Sequence, residues 1–329
     1  MFPNPQGLDT IYIYIKGTFD LNGRLLPADQ QVPIAAAEQF YDDPMKSSVR
    51  LPSDLTLCKL GTDVLLSGHA QAPAGEKVHS LDVLLAVGSV NKKVRVFGRR
   101  MWRKSFPGGF VATDPVPFER VPLRWELAFG GEATIKDGNK SARQELHRQN
   151  PLGRGFRISD KAKPVDGDEL PQIENPSTLI RSWKDQPAPI GFGPVPAHWQ
   201  PRLGYAGTYD EAWQKGRAPY MPKDFDAKFF YAASEDQQVH GYLQGGEIVE
   251  VAGMDPRGLV RFSLPRYLHS VECRSGTKAE PVAINLETVF IDMDTGRVMM
   301  TWAGNLCTGR DTLRVEEIVV QSVSQLILS

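Results

Sequence analysis

The chain has 329 residues, enough for two domains of average size or for one large β-rich unit. Its 41% hydrophobic and 23% charged residues are those of a folded globular protein and exclude wholesale disorder. Lysine and arginine total 38 against 39 aspartate and glutamate, so a net charge of -1 gives no field to attract nucleic acid or an anionic membrane surface.

The opening MFPNPQGLDT lacks the basic, apolar and small-residue regions of a secretory signal, and no stretch reaches eighteen uninterrupted apolar residues. A cytoplasmic protein with no membrane partner is expected. Ile11 to Phe19 (IYIYIKGTF) alternates strictly, with Ile11, Ile13 and Ile15 on one face and Tyr12, Tyr14 and Lys16 on the other, which predicts a half-buried strand. Asn22-Gly23 supplies a turn. Thr62 to Gln71 is predicted as a strand projecting Val64, Leu66, Gly68 and Ala70 to one side. Leu81 to Val87 is apolar enough to be buried on both faces, and after a turn over Gly88 to Lys93 the run Val94 to Phe97 returns as a hairpin. The basic cluster Arg99 to Lys104 reads as a solvated strand end.

From about Gly130 to Tyr231 glycine and proline are dense and strand periodicity disappears. Phe156, Trp183, Phe192, Trp199, Tyr205, Tyr209 and Trp213 offer large apolar area here, which predicts ordered, packed loops. Strand grammar resumes with EIVEVAG, GLVRFSL and INLETVFIDMDTGRVMMTW, the last folded at Asp294-Thr295-Gly296. The terminal LRVEEIVVQSVSQLILS fits a strand or a helix by periodicity; its β-branched content favours a strand with a frayed tail.

The expected fold is therefore mainly β. Two β-rich modules of antiparallel hairpins, sandwich-like or barrel-like, occupy 1–129 and 232–329, and the loop region with a few short helices occupies 130–231. With no polar flexible linker between them, they are expected to form one compact unit.

In GTYDEAWQKGRAPYMPKDFD (Gly207 to Asp226), Thr208 and Glu211 have capping-box spacing and Gly216 can end the helix in a left-handed cap, predicting a short helix over Tyr209 to Lys215. Asp224 and Asp226 lie two apart and could hold a cation or a proton, or cap the next turn. Gly153 and Gly155 flank Arg154 without the context of a phosphate loop, so they read as tight-turn glycines. The six histidines show no metal-ligand spacing and no G-x-S-x-G elbow occurs. Cys58, Cys273 and Cys307 are far apart and read as buried reduced thiols. No catalytic residue, cofactor or metal is assigned.

Taken in order, IKGTFDLNGRLLP, PSDLTLCKLGTDVLLSGHAQAPAG, VPLRWELAFGG, NPLGRGF, LPQIENP, APIGFGPVPAHWQPRLGYAGTYDEAW, MPKDFDAKFFYAASEDQQVHGYLQGGE and LETVFIDMDTGRVMMTWAG closely resemble a family of uncharacterised proteins found among bacterial type VI secretion genes. The resemblance runs from about Ile15 to Gly304. It implies an effector adaptor or chaperone that binds a toxin effector, or its proline-alanine-alanine-arginine (PAAR) tip domain, and helps load it onto the valine-glycine-repeat (VgrG) spike.

For such a binder the loop aromatics Trp183, Trp199, Tyr205, Tyr209 and Trp213 are candidate anchors, and Arg154, Arg202 and Arg217 candidate partners for carboxylates. For each aromatic, packing between the β modules is the competing role. An exposed sheet edge is a second docking mode. Two other functions compete: an enzyme acting on a carbohydrate or cell-envelope substrate through Glu174, Asp210, Asp224 or Asp226, and a structural component of an assembly.

Overall fold

Segments that alternate or run β-branched in the sequence become strands in the computed structural model, which describes residues 2–4, 6–57, 59–135, 143–158, 164–309 and 314–325. In chain order, the strands of the three larger sheets begin with β1 (Phe2–Pro3), β2 (Asp9–Leu21), β3 (Leu25–Pro27), β4 (Gly61–Ser67), β5 (Ser80–Val87), β6 (Val90–Phe97) and β7 (Ile173–Glu174). They continue with β8 (Gln238–His240), β9 (Ile248–Ala252), β10 (Val260–Ser263), β11 (Arg266–Ser275), β12 (Lys278–Val282), β13 (Asn285–Asp292), β14 (Arg297–Gly309) and β15 (Glu317–Gln325). The one α-helix among the described residues, α1, is Glu211–Gly216. The protein is mainly β, and its sheets stay open rather than closing into a barrel.

A seven-stranded sheet has the order β1-β2-β14-β13-β4-β8, with β3 paired to β2. All its pairs are antiparallel except β13 with β4, which run parallel from Thr288↔Asp63 to Asp292↔Ser67. A five-stranded antiparallel sheet has the order β7-β6-β5-β9-β10, and a three-stranded sheet the order β12-β11-β15. The first two sheets each combine strands from before residue 100 with strands from beyond residue 237.

One apolar cluster joins these two sheets: Val64 and Leu66 of β4, Val289 and Ile291 of β13 and Met300 of β14 pack in the same core as Val83, Leu85, Val94, Val249 and Val251. Every residue of β4 is buried, because its second face packs Leu65 beneath Phe290, Met299 and Ala232. The small sheet lies against Ile13 of β2 through Val271, Cys273 and Val282. The thiol expectation therefore holds for Cys273, whereas Cys307 is exposed and Cys58 lies outside the described residues.

Several local expectations change. The run from Thr62 to Gln71 is not one strand: Gly68, at φ +129°, breaks it, and a Cβ there would meet Met254 at 3.0 Å. The β5–β6 turn is shorter than Gly88 to Lys93, since the strand resumes at Val90 and Gly88 takes the positive φ of +57° that a two-residue turn requires. The terminal run is a strand, β15, and its last four residues lie outside the described ones.

On the Tyr12, Tyr14 and Lys16 face of β2 the tyrosines are half-buried and the lysine side chain is almost wholly covered. The Lys16 ammonium, 6% exposed, donates to Asp54 at 2.6 Å, and Asp54 also accepts from the Ala35 N–H at 2.7 Å and the Thr301 hydroxyl at 2.7 Å. A second buried pair joins Lys59 to Asp63 at 2.9 Å, and Lys92 is held by Ser234, Asp236 and Gln237 at 2.8 Å each. Removing one member of such a group leaves the other charge buried without a partner. Asp54→Ala is therefore expected to lower the unfolding free energy by about 3–5 kcal/mol in urea titrations, and Lys16→Met with Asp54→Leu by clearly less.

Glu287 also sits in this buried layer, accepting from the Thr56 hydroxyl and, at 3.3 Å, from the Lys59 N–H. Burial lifts its carboxyl above the ordinary carboxylate range, and the nearby Lys59 charge offsets this only in part. The folded chain thus holds this proton more tightly than the unfolded chain does. That contribution to stability is complete below about pH 4.3, the unfolded value, and is lost as pH rises through the folded one. Glu287→Gln is expected to remove this decline, flattening the plot of urea midpoint against pH above about pH 4.3.

Candidate partner-binding face

The stretch Gly207 to Asp226 closes on itself through side chain to backbone bonds. At its base the Thr208 N–H and hydroxyl donate to the two Asp224 oxygens at 3.0 and 2.7 Å, which holds the Asp224 carboxyl below its usual range. Higher up, the Trp213 indole donates to the Tyr220 carbonyl at 2.8 Å, and the Arg217 guanidinium to the Met221 carbonyl at 2.8 Å. Gly207 is at φ +81°, and a Cβ there would meet Pro222 at 2.9 Å, so only glycine fits that crossing.

The expected capping box does not form. Asp210 is the N-cap, accepting from the Trp213 N–H at 2.8 Å, because Thr208 is already engaged by Asp224. Glu211 pairs with Lys215 one turn on, and α1 starts two residues later than predicted. Gly216 is helical rather than left-handed, and the end of the helix is closed by the Arg217 N–H on the Trp213 carbonyl at 2.8 Å.

This closed loop lifts Tyr209 into solvent, 56% exposed, with its ring edge-on to Trp213 at 4.7 Å. On its other side Pro219, Tyr220 and Met221 meet Tyr12 and Tyr14 of β2, together with Leu55, Leu57 and Pro3, around an open cleft of about 450 Å³. Tyr220 lies over Gly7, where an added Cβ would sit 3.5 Å from the ring. The Tyr14 hydroxyl donates to the Thr56 carbonyl at 2.5 Å, and burial pushes this phenol above its ordinary range. A second cleft, about 260 Å³, is lined by Gln200, Arg202, Tyr205, Lys228, Tyr231 and His240 among others.

The eight residues singled out from the sequence separate by environment. Trp199 is 2% exposed and packs edge-on to Trp125 in the main core, and Arg202, 8% exposed, ties Glu38 to the carbonyls of Val195 and Phe229. These two hold the loops to the framework, and Arg202 also lines the second cleft. Trp183 is half-buried against the Trp102, Phe129 and Leu170 cluster, Arg154 bonds Glu169 and the Glu126 carbonyl, and Arg217 forms the rung to Met221. Tyr205 lines the second cleft, where Lys228 lies 5.8 Å from its ring centre, while Tyr209 and the half-exposed Trp213 form the outer face.

Sequence reasoning missed Tyr12, Tyr14 and Tyr220. The tyrosine alternation of β2 carried a signal, but nothing local indicated that a segment two hundred residues away would lie beside it.

The carboxylates weighed as acid and base are each engaged. Glu174, 2% exposed, accepts from Arg100 and from the Ile180 N–H at 2.7 Å; Asp210 and Asp226 are helix caps; Asp224 holds Thr208. Arg100 is therefore a buried ion-pair member, unlike the solvated strand end expected of its cluster. Gly153 closes a tight turn, its N–H on the Asn150 carbonyl at 3.4 Å and a Cβ there meeting Asn150 at 2.5 Å, whereas Gly155, at φ +89°, lies in a short parallel pairing with Gly130 rather than in a turn. Among the described residues, no three His, Cys, Asp or Glu side chains converge as a metal site would, and no helix is long and apolar enough to cross a membrane.

Fold and surface together define a mainly-β protein of open, interleaved sheets with a tyrosine-rich face carried on a closed loop. The chain belongs to the family described as an uncharacterised protein conserved in bacteria (DUF2169), whose family model matches residues 6–303. The comparisons with curated proteins and with solved structures gave no match.

Asp210 sets the geometry of the exposed aromatic pair. Asp210→Ala is expected to destabilise α1 by about 1 kcal/mol, read as roughly fivefold faster hydrogen exchange at the Trp213 and Gln214 amides, with the exchange of β4 unchanged.

Proposed function

We propose that this chain is a non-enzymatic accessory protein of type VI secretion, an adaptor or chaperone. In this reading it holds a toxin effector, or the PAAR domain joined to one, in the cytoplasm and helps load it onto the VgrG spike. The ordered sequence blocks from Ile15 to Gly304 support the system, and the shape of the surface supports binding as the task.

The observation that carries the reading is the cleft between β2 and the closed loop, walled by Tyr12, Tyr14, Tyr220, Pro219 and Met221 beside the exposed Tyr209. Tyrosines present broad apolar area with few rotamers to freeze and keep a polar tip for the rim, so they suit repeated capture and release of a protein segment. Their loop is fastened by its own backbone bonds, which lowers the ordering cost of binding.

Co-expression with the neighbouring effector, PAAR and spike proteins, followed by affinity capture, tests this. Wild type is expected to co-purify with an effector or its tip domain. Tyr209→Ala with Tyr220→Ala is expected to lower the captured amount about tenfold or more while the circular dichroism spectrum is kept. If no candidate co-purifies and effector levels do not change on deleting the protein, the proposal fails.

A further inference from the structure

The terminal strands of the two larger sheets are short: β1 has 2 residues, β8 has 3, β7 has 2 and β10 has 4. The stretch of β2 between its partners β1 and β3 contains no exposed residue. In the small sheet, one edge strand, β12, carries Lys278, Glu280 and Pro281, a composition that resists pairing with another strand.

The opposite edge has none of these guards. β15 runs for 9 residues, EIVVQSVSQ, with no charge after Glu317 and no proline. Among the described residues it pairs with β11 alone. From Glu316 to Ser324 every residue but Val319 is exposed, with Ile318 at 43%, Val320 at 46% and Val323 at 61%. Leu268, 54% exposed, stands opposite Val323 on the outer side of the sheet and widens the apolar surface. A long edge with no charge after its first residue is a template for another strand.

We propose that β15 pairs with β15 of a second copy of this chain about a two-fold axis at Gln321, joining two three-stranded sheets into one of six strands. The sequence is self-complementary in that register. Antiparallel pairing about its midpoint sets Val319 opposite Val323, Ile318 opposite Ser324, Val320 opposite Ser322 and Glu317 opposite Gln325, so all nine residues pair and no like charges meet. A net charge of -1 per chain adds almost no repulsion between copies. The pairing does not depend on the adaptor reading and uses a different surface.

Sedimentation velocity of the full chain from about 1 to about 100 µM tests the pairing. Wild type is expected to move from monomer towards twice the monomer mass over this range. Val319→Lys with Val323→Lys, and separately Val319→Glu with Val323→Glu, are each expected to stay monomeric. Mixed together, the two variants are expected to dimerise again, because lysine then faces glutamate across the axis. Should these variants unfold, Gln321→Cys in a Cys307→Ser background is expected to form a symmetric disulfide under mild oxidation, since residues on the axis lie about 5 Å apart. A wild type that is monomeric throughout overturns the proposal. So does a dimer that survives both lysines, or an edge found to take up only a strand of a different protein.

Discussion

Asp63 ties together three distant parts of the chain. Its side chain, with no exposed surface, accepts from the Lys59 ammonium at 2.9 Å and from the Ala232 N–H at 2.7 Å, while its backbone lies in β4 between β13 and β8. A charge buried this deeply is tolerable only while its partners are in place. β4 is therefore held jointly by the strands beyond residue 237 and by the end of the irregular region. The same holds at Asp54, which joins Lys16 of β2 to Thr301 of β14 through a loop that lies in neither strand. These polar ties fix register where apolar contact alone would allow a slip, since a one-residue shift in β2 or β14 would separate Lys16 from Asp54 and Thr301.

The irregular region keeps its shape by the same means. Asn150, fully buried, donates to the carbonyls of Trp125 and Phe129 at 2.8 and 2.9 Å, and Gln237, also fully buried, donates to those of Val64 and Phe192 at 2.7 and 3.0 Å. Backbone groups that leave the ladder of a sheet must find other partners once buried, and amide side chains provide both geometry and neutrality. The described residues of this region, with few regular elements, rest on the sheets in this way. The exposed aromatics are consequently presented at fixed spacing, as the 4.7 Å contact of Tyr209 with Trp213 illustrates.

Local pattern made much of this legible. Alternation marked β2, an apolar run followed by a turn marked the β5–β6 hairpin, the β-branched content of the last run marked β15, and Asn22-Gly23 and Asp294-Thr295-Gly296 marked turns whose glycines take φ values of +76° and +63°. Partnership was not legible. Nothing in TDVLLS specifies that it will run parallel to residues 288–292, because that choice is made by the assembled core and not by the strand. Lys16 illustrates the same limit: its place in the alternation suggested solvent, and only the arrival of Asp54 makes burial possible.

The cap of α1 shows a finer version of that limit. Thr208 and Glu211 have the right spacing for a capping box, yet a competing acceptor sixteen residues on, Asp224, takes both donors of Thr208 and so moves the start of the helix to Asp210. In this stretch, carboxylates that look like chemistry when counted along the chain are consumed one by one in satisfying N–H and hydroxyl groups. The uncommitted surface is left to tyrosine. The aromatic face is fixed by acidic side chains that are exposed yet hydrogen-bonded within the loop. The loop and β2 form that face jointly, so its geometry depends on the same long-range assembly that seats Asp63.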